Sequence, residues 1–276
     1  MVWQANLNLA YERHGERVVA RHEHSGPLRI LQSLYPEGDA ICHNVLVHPP
    51  GGLVGGDTLD IAVQAATHTH GLVTTPGATR FYRSDGPLAL QTTRITMQAG
   101  SRLEWLPLEA LCYNDCNAEN RLVMDLEPEA ELLGWDLTAF GLPNAKLPFV
   151  KGSFAQHIEV PGVWLERGRL NASDTRLMDG PTGLSGARCM ASLFFVSGSV
   201  LDRTRKQQAL DIARDLIASS ELAGTAGATS PNKQVIVVRV VAPLVEPAMH
   251  LLRALRNTWR KELWQLPDCN PRIWAM

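Results

Sequence analysis

Three stretches of the chain share one pattern: IAVQAATHTHGLV (residues 61–73), ITMQAGSRLEWLP (95–107) and LVMDLEPEAELLGW (122–135). Each contains a run in which apolar and polar residues alternate, then a break at small or turn-forming residues, then a second apolar run. When the breaks at residues 65–66, 99–100 and 128–129 are aligned, the repeats are spaced by about 34 and about 29 residues, which is typical of solenoids. We therefore predict strand pairs stacked along one axis. An ordinary antiparallel meander is the alternative.

Short segments rich in Val, Ile, Leu, Thr and Trp continue from about residue 5 to about residue 200, separated by Gly and Pro, and indicate β structure. The segment QHIEVPGVWLERGRL (156–170) predicts a hairpin that turns at Pro161-Gly162. Its two strands place Ile158 and Val160 opposite Trp164 and Leu165.

After residue 200 the period of the apolar residues becomes helical. One stripe of a first helix is formed by Ala209, Ile212, Ala213, Leu216 and Ile217. Asp202 can cap this helix, and Gly224 can end it. Residues 225–233 are typical of a loop, and QVIVVRVVA (234–242) of a short buried strand. A second helix is predicted for about 245–264, and one face of it is formed by Ala248, Leu251, Leu252, Leu255, Trp259 and Leu263.

Together these patterns predict a mainly β protein. Its body, residues 1–200, is expected to be a two-layer superhelix of stacked strand-turn-strand units. A small α/β C-terminal part, residues 201–276, is expected to contain two helices and to pack on the body as one compact unit. Pro267 and Pro271 exclude regular helix in the tail of that part.

Composition excludes several classes of function. The 276-residue chain has a formal charge of −2 and no basic stripe, so we expect no nucleic-acid partner. Its most apolar stretch, residues 235–245, is interrupted by Arg239 and Pro243 and is about half the roughly 20 residues that span a bilayer, so no membrane segment is expected. The five irregularly spaced cysteines fit a reducing compartment, and the start of the chain lacks a secretory signal, which predicts a cytoplasmic protein.

Two segments are candidates for contact with a partner protein. The segment HPPGGLVGGDTL (48–59) is rich in glycine, which permits close backbone approach, although a plain structural turn is an equal alternative. The segment TTPGATRFYRSDG (74–86) carries an arginine-aromatic cluster typical of interface hot spots, although a strand with Phe81 inside explains it as well. The candidate interface residues are Pro49, Pro50, Gly51, Gly52, Asp57, Thr75, Pro76, Gly77, Arg80, Phe81, Tyr82 and Arg83.

Metal ligands are sparse in the sequence. His68 and His70 are two residues apart, which on a strand would place both imidazoles on one face, and nickel favours imidazole. The carboxylates Glu104, Glu109, Asp136 and Glu166 adjoin apolar or aromatic strand residues and are candidates for the lining of a passage through which a divalent cation moves transiently. The alternative is that each of these six residues, taken alone, lies on the solvent-facing side of a strand and binds no metal. Cys112 and Cys116 have no second pair, which excludes a zinc finger.

Signatures of enzymes are missing. Gly56 is followed by Asp57 instead of the Lys-Ser/Thr of a phosphate loop, and a carboxylate there repels phosphate. GLSGA (183–187) lacks the last glycine of a nucleophile elbow. We predict no catalytic residue and no tightly bound cofactor.

Four ordered blocks resemble the UreD family of urease accessory proteins, called UreH in some organisms. These blocks are YPEGDAICHNVLVHPPGGLVGGDTLDI (35–61), LVTTPGATRFYRS (72–84), AGSRLEWLPLEAL (99–111) and PRIWAM (271–276). The resemblance extends from about residue 28 to residue 276. It implies a β-rich superhelical body with two helices, in agreement with the repeat and the helical stripes.

The resemblance also implies a function. UreD-like proteins dock on apo-urease and bind UreF, which recruits the nickel-carrying GTPase UreG. By analogy the chain is expected to be a non-catalytic scaffold and metallochaperone for incorporation of nickel into apo-urease. The alternatives are a metal-dependent small-molecule enzyme that uses the glycine-rich turn, which predicts turnover by the pure protein, and a stand-alone nickel-binding protein, which predicts tight stoichiometric binding.

Overall fold

The alternating runs of the three repeats form neighbouring parallel strands. The computed structural model, which describes residues 3–275, is a β solenoid of about four turns. Its strands are β1 (Gln4–His14), β2 (Arg17–Ser25), β3 (Arg29–Leu34), β4 (Cys42–Val47), β5 (Gly52–Leu53), β6 (Thr58–Ala65), β7 (His70–Thr74), β8 (Thr79–Phe81), β9 (Ala89–Met97), β10 (Arg102–Leu106), β11 (Ala110–Cys112), β12 (Cys116–Leu126), β13 (Glu131–Phe140), β14 (Gly152–Val160), β15 (Trp164–Asn171), β16 (Cys189–Ser197), β17 (Ala226–Thr229) and β18 (Val235–Ala242). The helices are α1 (Thr175–Asp179), α2 (Arg203–Ala218) and α3 (Val245–Trp264), with 3-10 turns at Pro143–Ala145 and Arg272–Ala275.

The strands form two facing sheets. The first sheet has the order β15-β14-β12-β9-β6-β1-β2, and the second has the order β17-β18-β16-β13-β10-β7-β4-β3. Pairing is parallel in the middle of both sheets, and antiparallel strands close their ends. The short strands β5, β8 and β11 pair with one another beside β13. The stacked arrangement predicted from the repeat is therefore confirmed.

The register corrects the repeat length. Arg102 pairs with both His70 and Glu131, so the structural repeats are 32 and 29 residues long. Alignment of the sequence motifs predicts about 34 for the first repeat, two residues too many. Because side chains alternate with a period of two along a strand, a shift of two leaves every residue on its predicted face.

Two apolar clusters hold the fold together. The first fills the space between the sheets, where alternate residues of each strand point inward. The second lies between the outer face of the second sheet and helices α2 and α3. Strands β17 and β18 continue the second sheet, so the C-terminal part shares its hydrogen-bonded framework with the body.

The predicted helices are largely confirmed. Asp202 caps α2 by accepting bonds from the backbone of Thr204 and Arg205, but the helix ends at Ala218, well before Gly224. Helix α3 spans Val245–Trp264 as predicted, and its predicted apolar face is buried. The helix α1 was not predicted, and β17 lies inside the segment predicted to be a loop.

The predicted hairpin is present as β14 and β15, whose turn is centred on Pro161-Gly162. Trp164 is buried there, but Leu165 points outward and is 57% exposed, because adjacent residues of a strand face opposite sides. Within residues 3–275, no helix combines the length and apolarity needed to span a bilayer.

Candidate functional site

A line of polar side chains, the polar row, crosses the apolar space between the two sheets. Its members face the inside of the solenoid. On each strand they are separated by an even number of positions from residues of the first apolar cluster, and such residues point to the same face. The polar row consists of Gln91 on β9, Asn120 on β12, Gln156 on β14, Glu166 on β15, Asp136 on β13, Ser192 on β16 and Arg239 on β18. Register places Gln91, Asn120 and Gln156 side by side in the first sheet, and Asp136, Ser192 and Arg239 side by side in the second.

Asp136 is the centre of the polar row. Its Oδ2 accepts a hydrogen bond of 2.7 Å from Asn120 Nδ2, and its Oδ1 accepts one of 2.6 Å from Gln156 Nε2. Asn120 in turn accepts a 3.2 Å bond from Gln91 Nε2. Amide groups of the first sheet therefore bridge directly to a carboxylate of the second, which is only 7% exposed.

Burial sets the protonation of Asp136. Removal from water raises its pKa from 3.8 to about 6, although the bonds from Gln156, Thr138 and Asn120 oppose that change. The negative charge of Glu166 raises the pKa further. The centre of the polar row can thus exchange a proton close to neutral pH.

Glu166 and Arg239 end the polar row at the edge of the solenoid. Arg239 donates from Nε and Nη2 to Glu166 Oε2, over 3.0 and 2.6 Å. Ser192 Oγ donates to the other oxygen of Glu166 over 3.3 Å. Both charged side chains are partly open to solvent, Arg239 at 46% and Glu166 at 22%.

The opposite end of the polar row lies beside the glycine-rich segment. Gln91 lines a cavity of about 200 Å³, together with His48, Thr75 and Arg80. Burial lowers the pKa of His48. Its Nδ1 is buried and makes no hydrogen bond within the described part of the chain. The polar row therefore runs from this cavity to the ion pair of Glu166 and Arg239.

The two predicted interface segments lie against each other at this cavity. Strands β5 and β8 pair in parallel, and Tyr82 N donates to Leu53 O over 2.8 Å. A Cβ atom at Gly52 would lie 2.4 Å from the Tyr82 ring, so glycine is required for this approach. Phe81 is buried, as the strand alternative stated, while Arg83 is exposed.

Asp57 holds the glycine-rich segment in place through hydrogen bonds to the backbone. Its buried carboxylate accepts from the backbone N–H of Trp3 over 2.8 Å and of Val54 over 2.9 Å. These contacts give Asp57 a structural role, whereas Pro49, Pro50, Pro76 and Gly77 are exposed.

A second charged group, the ionic clamp, lies on the other side of the second sheet, beneath α3. Arg256 Nε donates to Glu104 Oε2 over 2.6 Å, and Arg260 Nε lies 3.1 Å from Glu104 Oε1. Arg260 Nη2 also donates to Glu37 Oε2 over 2.6 Å, and His43 lies 2.8 Å from the other oxygen of Glu37. Glu104 and both arginines are fully buried.

The clamp keeps Glu104 ionised. Burial alone would raise its pKa, but attraction to Arg256, then contact with His70 and attraction to Arg260, lower it to about 2. His70 Nε2 is 3.6 Å from Glu104 Oε1, and burial lowers the pKa of this imidazole. Glu104 and His70 therefore join α3 to the sheet, on the face opposite the polar row.

The structure separates the six predicted metal residues. Only Asp136 and Glu166 share the polar row, while Glu104 and His70 share the ionic clamp. Glu109 is half-buried and close enough to Arg253 and Cys189 to influence their pKa values. The strand placement of His68 was wrong: this residue is exposed in a turn with φ of 57°, because β7 begins only at His70. Both histidines still line one open groove of about 800 Å³.

Sequence reasoning missed the amides of the polar row and the arginines of the clamp. The sequence does contain a signal for the amides, namely a polar residue at a position where the alternation along a strand calls for an apolar one. Asn120 stands in this way between Ala118 and Leu122, and Gln156 between Phe154 and Ile158. Arg256 and Arg260 likewise interrupt the apolar stripe of α3.

Across residues 3–275, no three His, Cys, Asp or Glu side chains lie close enough together to form a metal-holding group. All five cysteines are free thiols, and four of them are buried. Burial raises the pKa of Cys112, which also lies within reach of Cys116. The described residues therefore include no compact ligand set of the kind that holds a structural metal.

These features define a β-solenoid protein with a polar row in its interior. The chain belongs to the UreD family: the profile of that family, described as UreD urease accessory protein, matches residues 4–275.

Full-length relatives agree with the family profile. The chain is 67% identical over 276 residues to the urease accessory protein UreD of Polaromonas naphthalenivorans (strain CJ2), with 100% of both chains covered. It is 64% identical over 275 residues to the protein of that name from Variovorax paradoxus (strain S110), again covering 100% of both. For Methylibium petroleiphilum the identity is 46% over 294 residues, with 99% of each chain covered.

Proposed function

We propose that this protein is a non-catalytic scaffold and metallochaperone of urease maturation, which helps to deliver nickel into apo-urease. It acts in the cytoplasm, in a complex with UreF and, through UreF, with the GTPase UreG. Nickel is cargo that passes along the protein and is not a resident cofactor. Family membership supports the general role, and the polar row supports the passage of nickel.

The polar row is the observation that carries the proposal. Two carboxylates, two amide side chains reaching one of them and a serine hydroxyl lie in line inside a mainly apolar solenoid. Hydrogen bonds within the row offset the cost of burying these groups, but apolar side chains at the same positions would carry no such cost, so the row suggests a role beyond packing. Transport of a cation is such a role, because amide and carboxylate oxygens can replace water around the ion.

Weak binding along the polar row fits delivery. A carrier that holds its metal tightly cannot pass it on, since transfer depends on the difference between the two affinities. Nickel prefers imidazole and thiolate to oxygen ligands. A row of oxygen donors is therefore expected to let nickel move on to the urease site.

Partner contact is assigned to the two paired segments at the far end of the row. Arg80 and Tyr82 are half-buried, and both side chains pack against Gly52 of the glycine-rich segment. Their exposed parts are therefore held in a fixed position at the surface. Aromatic and arginine side chains on such a surface suit a protein interface. Replacing Arg80 and Tyr82 by alanine is expected to reduce co-purification with UreF and apo-urease; unchanged co-purification would make that pair structural only.

The decisive experiment expresses urease with its other accessory proteins, with and without this chain, and measures nickel per urease active site as well as activity. We expect nickel content and activity to fall together when the chain is absent. Full nickel loading without it would refute the proposed function. Isothermal titration of nickel into the pure protein tests the storage alternative, which requires tight stoichiometric binding.

Single substitutions then test the path. Asp136→Asn and Glu166→Gln remove one charge each from the polar row while keeping side-chain size, and both are expected to lower nickel loading. Glu109→Gln is the matched control, because that carboxylate lies outside the row. If the complex forms and loading is normal in both row variants, nickel does not use this path.

A further inference from the structure

We propose that the open groove lined by His70, Arg102, Val200, Leu201 and Leu263, the turn-side groove, is a docking surface for a segment of a partner protein. The segment has one carboxylate flanked by apolar side chains, and Arg102 receives that carboxylate. The proposal rests on the scaffold role proposed above for the identity of the partners, but its tests do not depend on nickel.

The turn-side groove lies at the opposite ends of the strands from the glycine-rich segment. Three turns that lead from the first sheet to the second stack beside it, namely residues 66–69, 98–101 and 127–130. The glycine-rich segment precedes β6, whereas the turn 66–69 follows β6. The contact surface at Arg80 and Tyr82 and the turn-side groove therefore lie on opposite sides of the solenoid, which suits a scaffold that holds two partners.

The turn-side groove has an apolar side. Its volume is about 800 Å³, and Leu201, Leu263 and Leu266 contribute to its lining. Val200 also lines the groove and is 65% exposed, which is unusual for an aliphatic side chain next to buried leucines. An exposed apolar side chain in such a groove is suited to contact apolar side chains of a partner.

The positive charge of Arg102 is only partly neutralised within the chain. Glu131 already has other partners, because Arg205 donates to both of its oxygens and Trp264 Nε1 donates to Oε2 over 2.6 Å. Arg102 Nε lies 3.9 Å from the same Oε2, which is beyond hydrogen-bond distance. Burial lowers the pKa of Arg102, although the charge of Glu131 opposes this change. Two arginines thus share one carboxylate, and a second carboxylate would complete the group.

The other charged groups of the turn-side groove are paired or solvated. Asp202 caps the backbone of α2, and Glu16 is 95% exposed and pairs with Arg13. Glu129 is exposed, so water screens its charge. His70, in contrast, is 8% exposed, and its Nε2 has no hydrogen-bond partner in the described structure. The buried part of the groove therefore favours a single negative group, carried by a segment that is otherwise apolar.

A photo-crosslinker in the turn-side groove identifies what docks there. p-Benzoylphenylalanine is incorporated in place of Val200 in the full chain, which is co-expressed with UreF, UreG and the urease subunits, and cross-linked peptides are mapped by mass spectrometry. We expect a cross-link to UreF or to a urease subunit, at a segment with Asp or Glu between apolar residues. Leu165, which is 57% exposed on the outer face of the first sheet, is the matched control position and should not cross-link to that segment.

Arg102→Gln separates binding from folding. Biolayer interferometry with the partner that the cross-link identifies is expected to show an affinity about tenfold lower, because one charge-assisted hydrogen bond is lost. The melting temperature should stay close to that of wild type, since Arg102 makes no hydrogen bond to Glu131. Arg102→Lys keeps the charge and should retain part of the affinity. Arg205→Gln is the contrasting variant: it removes the bonds to Glu131 and to Leu263 O and should lower the melting temperature.

Three results would overturn the docking surface. They are the absence of a partner cross-link at Val200, a cross-linked segment without a carboxylate, and a wild-type affinity for Arg102→Gln. A loss of melting temperature as large as that of Arg205→Gln would make Arg102 a structural residue and would also overturn it. If nickel loading of urease requires the chain while Val200 gives no cross-link, the scaffold role stands and the groove is wrong. If urease loads fully without the chain, the proposed function fails, and a mapped cross-link would still establish the groove.

Discussion

Arg256 and Glu104 are 152 residues apart in the sequence, yet the Nε of one donates to the Oε2 of the other over 2.6 Å with neither side chain exposed. This contact attaches α3 to β10, and Arg260 extends it to Glu37. Paired buried charges contribute little net stability, but a charge left without its partner is costly. The ionic clamp therefore fixes where α3 lies on the sheet.

Replacement of Glu104 by Gln is expected to destabilise the protein by roughly 3–5 kcal/mol, because two buried guanidinium groups lose a shared counter-ion. Urea unfolding followed by circular dichroism measures the change. Asp60→Asn breaks the exposed ion pair with Arg94 and serves as the control, with a midpoint close to wild type. A wild-type midpoint for Glu104→Gln would mean that the clamp is not ionised.

The pKa shifts of Asp136 and Glu104 predict opposite effects of pH on the free energy of unfolding. The pKa of Asp136 is raised from 3.8 to about 6, so its ionisation opposes folding above pH 6, and this penalty disappears as the pH falls toward 3.8. The pKa of Glu104 is lowered from 4.5 to about 2, so its contribution is present above pH 4.5 and is lost as the pH falls toward 2.

Comparison of Asp136→Asn with wild type isolates the first of these effects. The variant is expected to gain stability relative to wild type as the pH rises from about 4 to about 7, by at most about 3 kcal/mol. Urea midpoints at four pH values across that range provide the measurement. A difference between the two proteins that stays constant with pH would contradict a raised pKa at Asp136.

Asp57→Ala is expected to loosen the glycine-rich segment, since the N–H groups of Trp3 and Val54 lose their acceptor. Two bonds to a buried carboxylate predict a loss of about 2–4 kcal/mol. Hydrogen exchange should accelerate at Val54, and the unfolding midpoint should fall. Asp85→Ala removes an exposed carboxylate whose described partner is Arg83, and it should change neither quantity.

Gly71→Ala tests the packing of the first solenoid turn. A Cβ atom at Gly71 would lie 2.5 Å from the ring of Tyr11, which is itself buried and bonded through its hydroxyl to Leu72 O. Overpacking of this kind costs about 1–3 kcal/mol. Gly168→Ala, at an open position, is the control for the loss of glycine, and equal melting temperatures for the two variants would show that Tyr11 can relocate.

Much of the fold could be predicted because it depends on local periodicity. The bounds predicted for α3, about residues 245–264, agree with the structure, since its apolar stripe is long and Pro243 precedes it. The strand β17 could not be predicted, because AGAT lacks β-branched or aromatic residues apart from its last position and is a strand only through pairing with β18.

The candidate site is harder to predict from the sequence than the fold. A carboxylate beside apolar strand residues is a feature that Asp136 and Glu166 share with Glu104, although Glu104 lies on the opposite face of the second sheet. The distinction depends on which partner approaches each face, Asn120 in one case and Arg256 in the other. Such contacts between distant segments are absent from any local pattern.

The position of the clamp in the chain also dictates when it can form. Arg260 follows Glu37 by 223 residues, and the carbonyls of Pro267 and Cys269, which accept from Arg260 and Arg256, come later still. During synthesis Glu37 and Glu104 are made long before the arginines that neutralise them. The strands of the solenoid can thus pair before α3 exists, but the outer face of the second sheet is covered only after α3 and the segment that follows it have been made.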